Sequence, residues 1–346
     1  MDLDSVADVG RVPHGSSDDP DVVDLSANVN PEVPDGTRSV YGDALGAARS
    51  YPDDGYPAFR AAAADYVDCA ADSVVPTAGG LAAIRLAVGV TVSPGDGVLV
   101  PYPSFGEYAR EVELAGGDSV FVPHDELLEA DPGPHAAAVV CTPNNPTGDC
   151  PDAADLRAFA DRCAAAGTLL VVDEAFLGFT ERASLAGYPG TVVARSLTKL
   201  FGLPGLRAGF AVATDETLER LRTARPAWSL GGPAAAVGVH AMRDAGFVAE
   251  TRRRVERERE YLRSGLAARG FEVSPSEAPF LLCDVGSDPA DLLARCRERG
   301  VVLRDATTFR GLDRHVRVAV RDRESTEALF NALDAWPSST TGPTSD

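Results

Sequence analysis

The sequence has almost no lysine. Of its 32 Lys and Arg residues only Lys199 is lysine, and every other is arginine. It also lacks a basic surplus: 52 Asp and Glu leave a net charge of −20. A surface this acidic repels nucleic-acid phosphates and anionic lipid, so neither nucleic acid nor membrane is expected as a partner. The acids are spread along the chain rather than gathered in the block that marks a disordered acidic tail. Abundant Ala and Arg with scarce Lys predicts a halophilic protein whose folding depends on molar KCl. Paired cysteine motifs are missing too. The six cysteines form no CxxC and no cluster with histidine, which excludes the usual zinc spacings and predicts reduced, mostly buried thiols and no metal. No apolar run approaches the ~18 residues of a membrane helix. The start, "MDLDSVADVG", is acidic and has no apolar signal core, which predicts a cytoplasmic protein.

What is present is a core. The apolar fraction is 45%, and 346 residues suggest about two domains. Residues 1–50, rich in Pro, Gly, Asp and Ser, predict an extended N-terminal arm. Between 51 and 235 helical stretches such as "PAFRAAAADYV" and "DAADLRAFADRCAAAG" alternate with short apolar runs: "GVLV", "SVFV", "AAAVVC", "TLLVVD", "TVVARS" and "AGFAVA". That alternation predicts an α/β large domain, a mostly parallel sheet covered by helices. A charged helix near 247–269 is expected to be a solvated connector. Residues 236–336 predict a small C-terminal α/β domain, and 337–346 a disordered tail.

Ligands of open parallel sheets bind at the carboxyl ends of the strands. Three of the apolar runs lead into polar residues there: "TPNNPTG" with Asn145, "DEAF" with Asp173, and "SLTK" with Lys199. Upstream, "PTAGGLAAI" puts Gly79 and Gly80 at a helix start, where backbone N–H groups suit a phosphate. Singly, these are a turn, a helix cap, a solvated lysine and a common glycine pair. In this order and at matching strand ends they point to one site.

The combination resembles the fold-type I pyridoxal-phosphate (PLP) enzymes of the class I/II aminotransferase group, most specifically in "PNNPTG", "DEAF" and "SLTKLFGLPGLRAGF". The resemblance implies that Lys199 carries PLP as a Schiff base. Arginine cannot replace it, because a guanidinium is not a usable amine nucleophile. It further implies Asp173 against the pyridine nitrogen, Asn145 on the phenolate oxygen and Phe105 stacked on the ring. Ser196, Thr198, Arg207 and the Gly79–Leu81 backbone, Gly80 included, would hold the phosphate. Tyr51 would reach the phosphate of a neighbouring subunit, making a homodimer with shared active sites. Phe176 stands where many relatives have tyrosine, so the phenolate has one donor fewer.

On the substrate side, "PHGSS" with His14, "SANVNP" with Asn28, and Arg304 thirteen residues before Arg317 resemble the threonine-phosphate decarboxylases of cobalamin biosynthesis. That resemblance implies a phosphorylated amino acid substrate, L-threonine O-3-phosphate, decarboxylated to (R)-1-amino-2-propanol O-2-phosphate. His14, Asn28 and Arg304 would take the phosphate and Arg317 the α-carboxylate. The alternative is a histidinol-phosphate aminotransferase or another aminotransferase of the group. Arg310 has no assigned role, and Arg321 is expected to support Arg317.

Overall fold

The structure, a computed structural model, describes residues 1–334, so the expected tail at 337–346 lies outside the described residues. The first half of the chain runs α1 (Leu3–Asp8), β1 (Val23–Asp24), α2 (Thr37–Ala47), α3 (Pro57–Val67), β2 (Val74–Thr77), α4 (Gly80–Gly89), β3 (Gly97–Tyr102), α5 (Glu107–Leu114), β4 (Asp118–Pro123), β5 (Ala137–Cys141), α6 (Ala153–Ala166) and β6 (Leu169–Asp173). The second half runs β7 (Thr191–Ser196), β8 (Gly209–Val212), α7 (Asp215–Ala224), α8 (Gly232–Arg243), α9 (Ala245–Ala267), β9 (Glu272–Val273), β10 (Phe280–Asp284), α10 (Ala290–Glu298), β11 (Val301–Val302), β12 (Arg304–Asp305), β13 (His315–Ala319) and α11 (Arg323–Asp334).

Seven strands form the large sheet in the order β2-β8-β7-β6-β5-β3-β4. Strands β3 to β7 are mutually parallel, and β8 alone runs against both its neighbours. Every residue of β5 and β6 is buried, because helices cover both faces of a parallel sheet. This is why those strands read as continuous apolar runs rather than alternating ones. The edge strand β2 does not stand out in the sequence. It is four residues long and contains Pro76, which an edge tolerates because it needs no donor on its open side. A second, antiparallel sheet has the order β12-β13-β10-β9.

Two elements differ from expectation. Residues 1–50 contain α1 and α2 where the composition predicts an extended arm. Asp2 caps α1, its carboxylate accepting from Ser5 N at 2.8 Å. α2 packs against α8, a tertiary contact that local propensity does not encode. The helix expected as a solvated connector is α9, and it is amphipathic. Val248, Thr251, Val255, Leu262 and Leu266 are buried along one face at three- and four-residue spacing.

The N-terminal segment ties both sheets together. β1 pairs in parallel with β11, and Ala319 N donates to Leu25 O at 2.8 Å. A few residues later Asn30 N donates to Lys199 O at 3.0 Å. The segment between α1 and α2 is thereby drawn across the carboxyl ends of the large sheet.

Candidate active site

At those carboxyl ends lies a cavity of about 210 Å³. His14, Asn28, Phe105, Asn145, Asp173, Lys199, Arg304 and Arg317 all line it, together with Phe176. Residues as far apart in the chain as His14 and Arg317 thus meet on one surface, and Arg317 Nη2 donates to Ser26 O, 291 positions away, at 2.8 Å.

Lys199 follows β7 and is half-buried in the cavity wall. Burial pushes its amine down to about 8, helped by the positive charges of Arg317 and Arg207 and opposed by Asp173. Asp173 closes β6. Burial raises its carboxyl above the usual range, although Tyr108 Oη donates to Oδ2 at 2.6 Å and Ala175 N to Oδ1 at 3.0 Å. A cation against this group would restore the carboxylate. Asn145 accepts from Arg317 Nη1 through Oδ1, which leaves its amide N–H groups as donors. Phe176 is buried with its ring edge-on to Phe280, at 5.1 Å between centroids, and brings no donor.

Arg304 and Arg317 are direct cross-strand partners on β12 and β13. Like charges in that position repel. Both side chains are buried, and among the described residues neither has an acidic partner within ion-pair distance. Arg304 Nη2 donates to Pro13 O and Thr308 Oγ1, both at 2.8 Å. Burial, with Arg304 nearby, lowers Arg317 to about 9. Phe280 and Phe309 offer ring faces to Arg317 at 5.2 and 5.8 Å, a partial compensation only. Two buried guanidiniums without an acid suit a ligand that carries anionic groups.

Beside the cavity a second group assembles around the start of α4. Gly79 has φ +97°, and a Cβ there would lie 2.9 Å from Arg207 Nη2. This close approach to a positive-φ backbone needs glycine. A Cβ on Gly80 would lie 3.3 Å from Ser196 Cβ, and Ser196 Oγ sits 2.8 Å from Thr198 Oγ1. A helix start, two hydroxyls and a guanidinium form an anion cradle. Leu81 is half-buried in the first turn of α4 and adds no polar side chain.

Three of the expected residues have surroundings that the sequence does not foretell. Tyr51 is 80% exposed and stacks on Trp228 at 4.5 Å, away from its own chain's cavity. Arg321 donates to Asp24 O at 3.1 Å instead of supporting Arg317, because its side chain turns toward β1. His14 faces Phe105 and places Nε2 3.0 Å from Glu107 Oε1, so its nearest charged partner is an acid. Two lining or supporting residues do not stand out in the sequence. Tyr108 holds Asp173, and Glu107 holds His14. Tyr108 stands three residues after Phe105, in "FGEY", and that spacing on a helix start is the signal the sequence offers for it.

The family described as "Aminotransferase class I and II" matches residues 20–333, and the chain belongs to it. It is 36% identical over 329 residues to the histidinol-phosphate aminotransferase of Symbiobacterium thermophilum, covering 91% of this chain and 90% of that one. Its fold is similar to that of L-threonine-O-3-phosphate decarboxylase from Porphyromonas gingivalis, with a TM-score of 0.81 at 23% identity over 90% and 98% of the two chains. Histidinol-phosphate aminotransferase from Sinorhizobium meliloti, solved in complex with pyridoxal-5'-phosphate, has a TM-score of 0.79 at 22% identity over 89% and 88%. The protein is therefore a PLP-dependent enzyme of fold type I. The donor set fits that cofactor: a half-buried amine lowered to about 8, a desolvated carboxyl with room for a cation, and an anion cradle beside them.

Proposed function

We propose that the enzyme removes the carboxylate of L-threonine O-3-phosphate and releases (R)-1-amino-2-propanol O-2-phosphate. The observation that carries this reading is the pair Arg304–Arg317, buried cross-strand partners with no acid within ion-pair distance among the described residues. Phosphothreonine brings two anionic groups in one molecule. Arg317 takes its α-carboxylate, and Arg304 takes the phosphate with donors from His14 and Asn28. Histidinol phosphate carries only the phosphate, and a carboxylate arrives only with a separate amino donor.

The chain's own residues divide the work. Lys199 would hold the cofactor, Asp173 would pair with its ring nitrogen, Asn145 would donate to its phenolate oxygen and Phe105 would pack against its ring. Gly79, Gly80, Leu81, Ser196, Thr198 and Arg207 hold its phosphate. PLP, when bound, supplies the electron sink for the bond broken at Cα. Tyr108 orients Asp173 through its hydroxyl. Arg317 would hold the carboxylate in a fixed orientation, and that positioning would select the bond to be broken. Loss of carbon dioxide would leave Cα to be protonated, and Lys199 would supply that proton from its ammonium form. The segment carrying Pro13 and His14 covers the cavity and keeps water from Cα.

A second reading is transamination of histidinol phosphate. The curated relatives weigh on its side, led by the 36% identity with the Symbiobacterium thermophilum enzyme. One experiment separates the two. The PLP-loaded protein in KCl is given L-threonine O-3-phosphate, and carbon dioxide and aminopropanol phosphate are measured. In parallel it is given histidinol phosphate with 2-oxoglutarate, and glutamate is measured. Carbon dioxide from the first mixture alone supports decarboxylation. Glutamate from the second alone replaces it with the aminotransferase.

The assembly belongs to the same proposal. Tyr41, Leu45, Tyr51 and Trp228 are exposed apolar side chains in and around α2 and the Tyr51–Trp228 stack. Such a patch suits a second copy of the chain, whose Tyr51 would complete the phosphate cradle. Sedimentation that finds only monomer at micromolar concentration sinks this.

A further inference from the structure

Arg310 is an exposed cation with no part in the chemistry proposed above. It lines a second cavity of about 340 Å³ that shares Val12, Pro13, Phe105 and Phe309 with the walls of the active cavity. Three arginines face this vestibule: Arg11, Arg110 and Arg310. Arg110 is neutralised, lying 3.3 Å from Glu107 and 3.6 Å from Glu111, and its Nε donates to Gly10 O at 3.0 Å. Among the described residues, neither Arg11 nor Arg310 has an acidic partner within ion-pair distance, in a chain of net charge −20. Glu113 is the one acid in the lining.

Arg310 is also held in place. Its guanidinium lies 3.7 Å from the centre of the Phe121 ring. The next residue, Gly311, has φ +83°, and a Cβ there would sit 3.1 Å from the Tyr102 ring. Only glycine lets this turn lie so close to Tyr102. The hydrogen-bonding edge of the guanidinium keeps its donors while the ring takes its face.

We infer that Arg310, with Arg11, forms an entry subsite that captures the phosphate group of the substrate before it passes to Arg304. The inference rests on the proposed phosphorylated substrate but applies to either candidate, since both carry a phosphate monoester. The contact is short-range. In molar salt the Debye length is about 3 Å, so long-range attraction would be lost while direct guanidinium–phosphate contact remains.

The test uses the full-length, PLP-loaded protein and inorganic phosphate as the probe. Calorimetric titration of the wild type should show two phosphate sites outside the cofactor. Arg310→Gln should remove one of them, and Arg304→Gln should remove the other. In turnover of whichever phosphorylated substrate the enzyme accepts, Arg310→Gln should raise KM about 3- to 10-fold with kcat unchanged, the effect of losing one charged hydrogen bond in binding alone. Arg310→Lys should recover part of the loss. Equal phosphate stoichiometry in wild type and Arg310→Gln overturns the subsite. Should neither phosphorylated substrate turn over, the proposed function fails while the phosphate titration still decides the subsite.

Discussion

Two of the places where this molecule buries arginine do so in opposite ways. Arg195, on β7, is buried against Glu174 with Nη1 donating to Oε2 at 2.9 Å, and Tyr66 presents its ring 5.2 Å away. Burial alone would lower Arg195, but Tyr66 and Glu174 outweigh it and hold the guanidinium above its ordinary value. Glu174 is itself satisfied by Ser184 Oγ at 2.6 Å and Leu185 N at 2.8 Å. Arg304 and Arg317 are buried against each other, and burial lowers both. The chain has 52 acidic residues, yet among the described residues none lies within ion-pair distance of either; Asp305, next to Arg304, offsets its burial only in part. A closed ion pair serves the fold. An open pair of cations stores a binding site at the expense of the fold.

The largest effect expected on this contrast comes from the residue between the two. Lys199→Ala should give no turnover above background and no borohydride-fixed cofactor. Retained covalent cofactor would break the assignment of the only lysine. Next, Arg317→Gln should lower kcat/KM by about 10²-fold or more, from the roughly 2–5 kcal/mol lost when one partner of a buried charge pair is truncated. Its unfolding midpoint should hold or rise, because one of two repelling cations is gone. Arg195→Gln should do the reverse. It leaves Glu174 buried and unpaired, at a cost of about 3–5 kcal/mol, seen as a lower urea midpoint with kcat/KM of the surviving protein nearly unchanged. If both variants lose stability alike, the distinction between closed and open arginines fails.

Two smaller predictions concern pH. The Lys199 amine in the folded, cofactor-free protein titrates near 8, below its ordinary 10.5, so its neutral, nucleophilic form prevails above about pH 8. The rate of PLP capture should therefore climb to about pH 8 and then level, followed by absorbance in stopped flow. A rate still climbing at pH 10 would mean the amine is not desolvated. Phe176→Tyr adds a donor near the phenolate oxygen. The visible-absorbance transition of the PLP-loaded protein should then move to lower pH, because the extra hydrogen bond stabilises the deprotonated form. An unmoved transition would place the added hydroxyl out of reach of that oxygen.

Much of the fold is legible in the chain. The runs at 97–100, 119–122, 136–141, 168–173, 191–196 and 208–213 all coincide with strands of the large sheet. All but 119–122, on the partly exposed edge strand β4, are legible because strands buried on both faces must be apolar throughout. The arm and α9 read less well, since α2 is held by α8 and the buried face of α9 is interleaved with charge. The cofactor side of the site is visible through residue chemistry: one amine, one carboxylate at a strand end and glycines before a helix. The supporting contacts are not visible. Tyr108 with Asp173 and His14 with Glu107 join side chains 65 and 93 residues apart.

The sequence by itself determined which atoms can react. A single lysine among arginines leaves one side-chain amine able to form an imine, and no folding alters that. Tertiary structure alone decided the charge environment around it. The pairing of β12 with β13 set Arg304 opposite Arg317, and strand register depends on contacts across the whole sheet. Burial then brought Lys199 down to about 8 and Arg317 to about 9, because desolvation acts on a charge only once distant segments have closed over it.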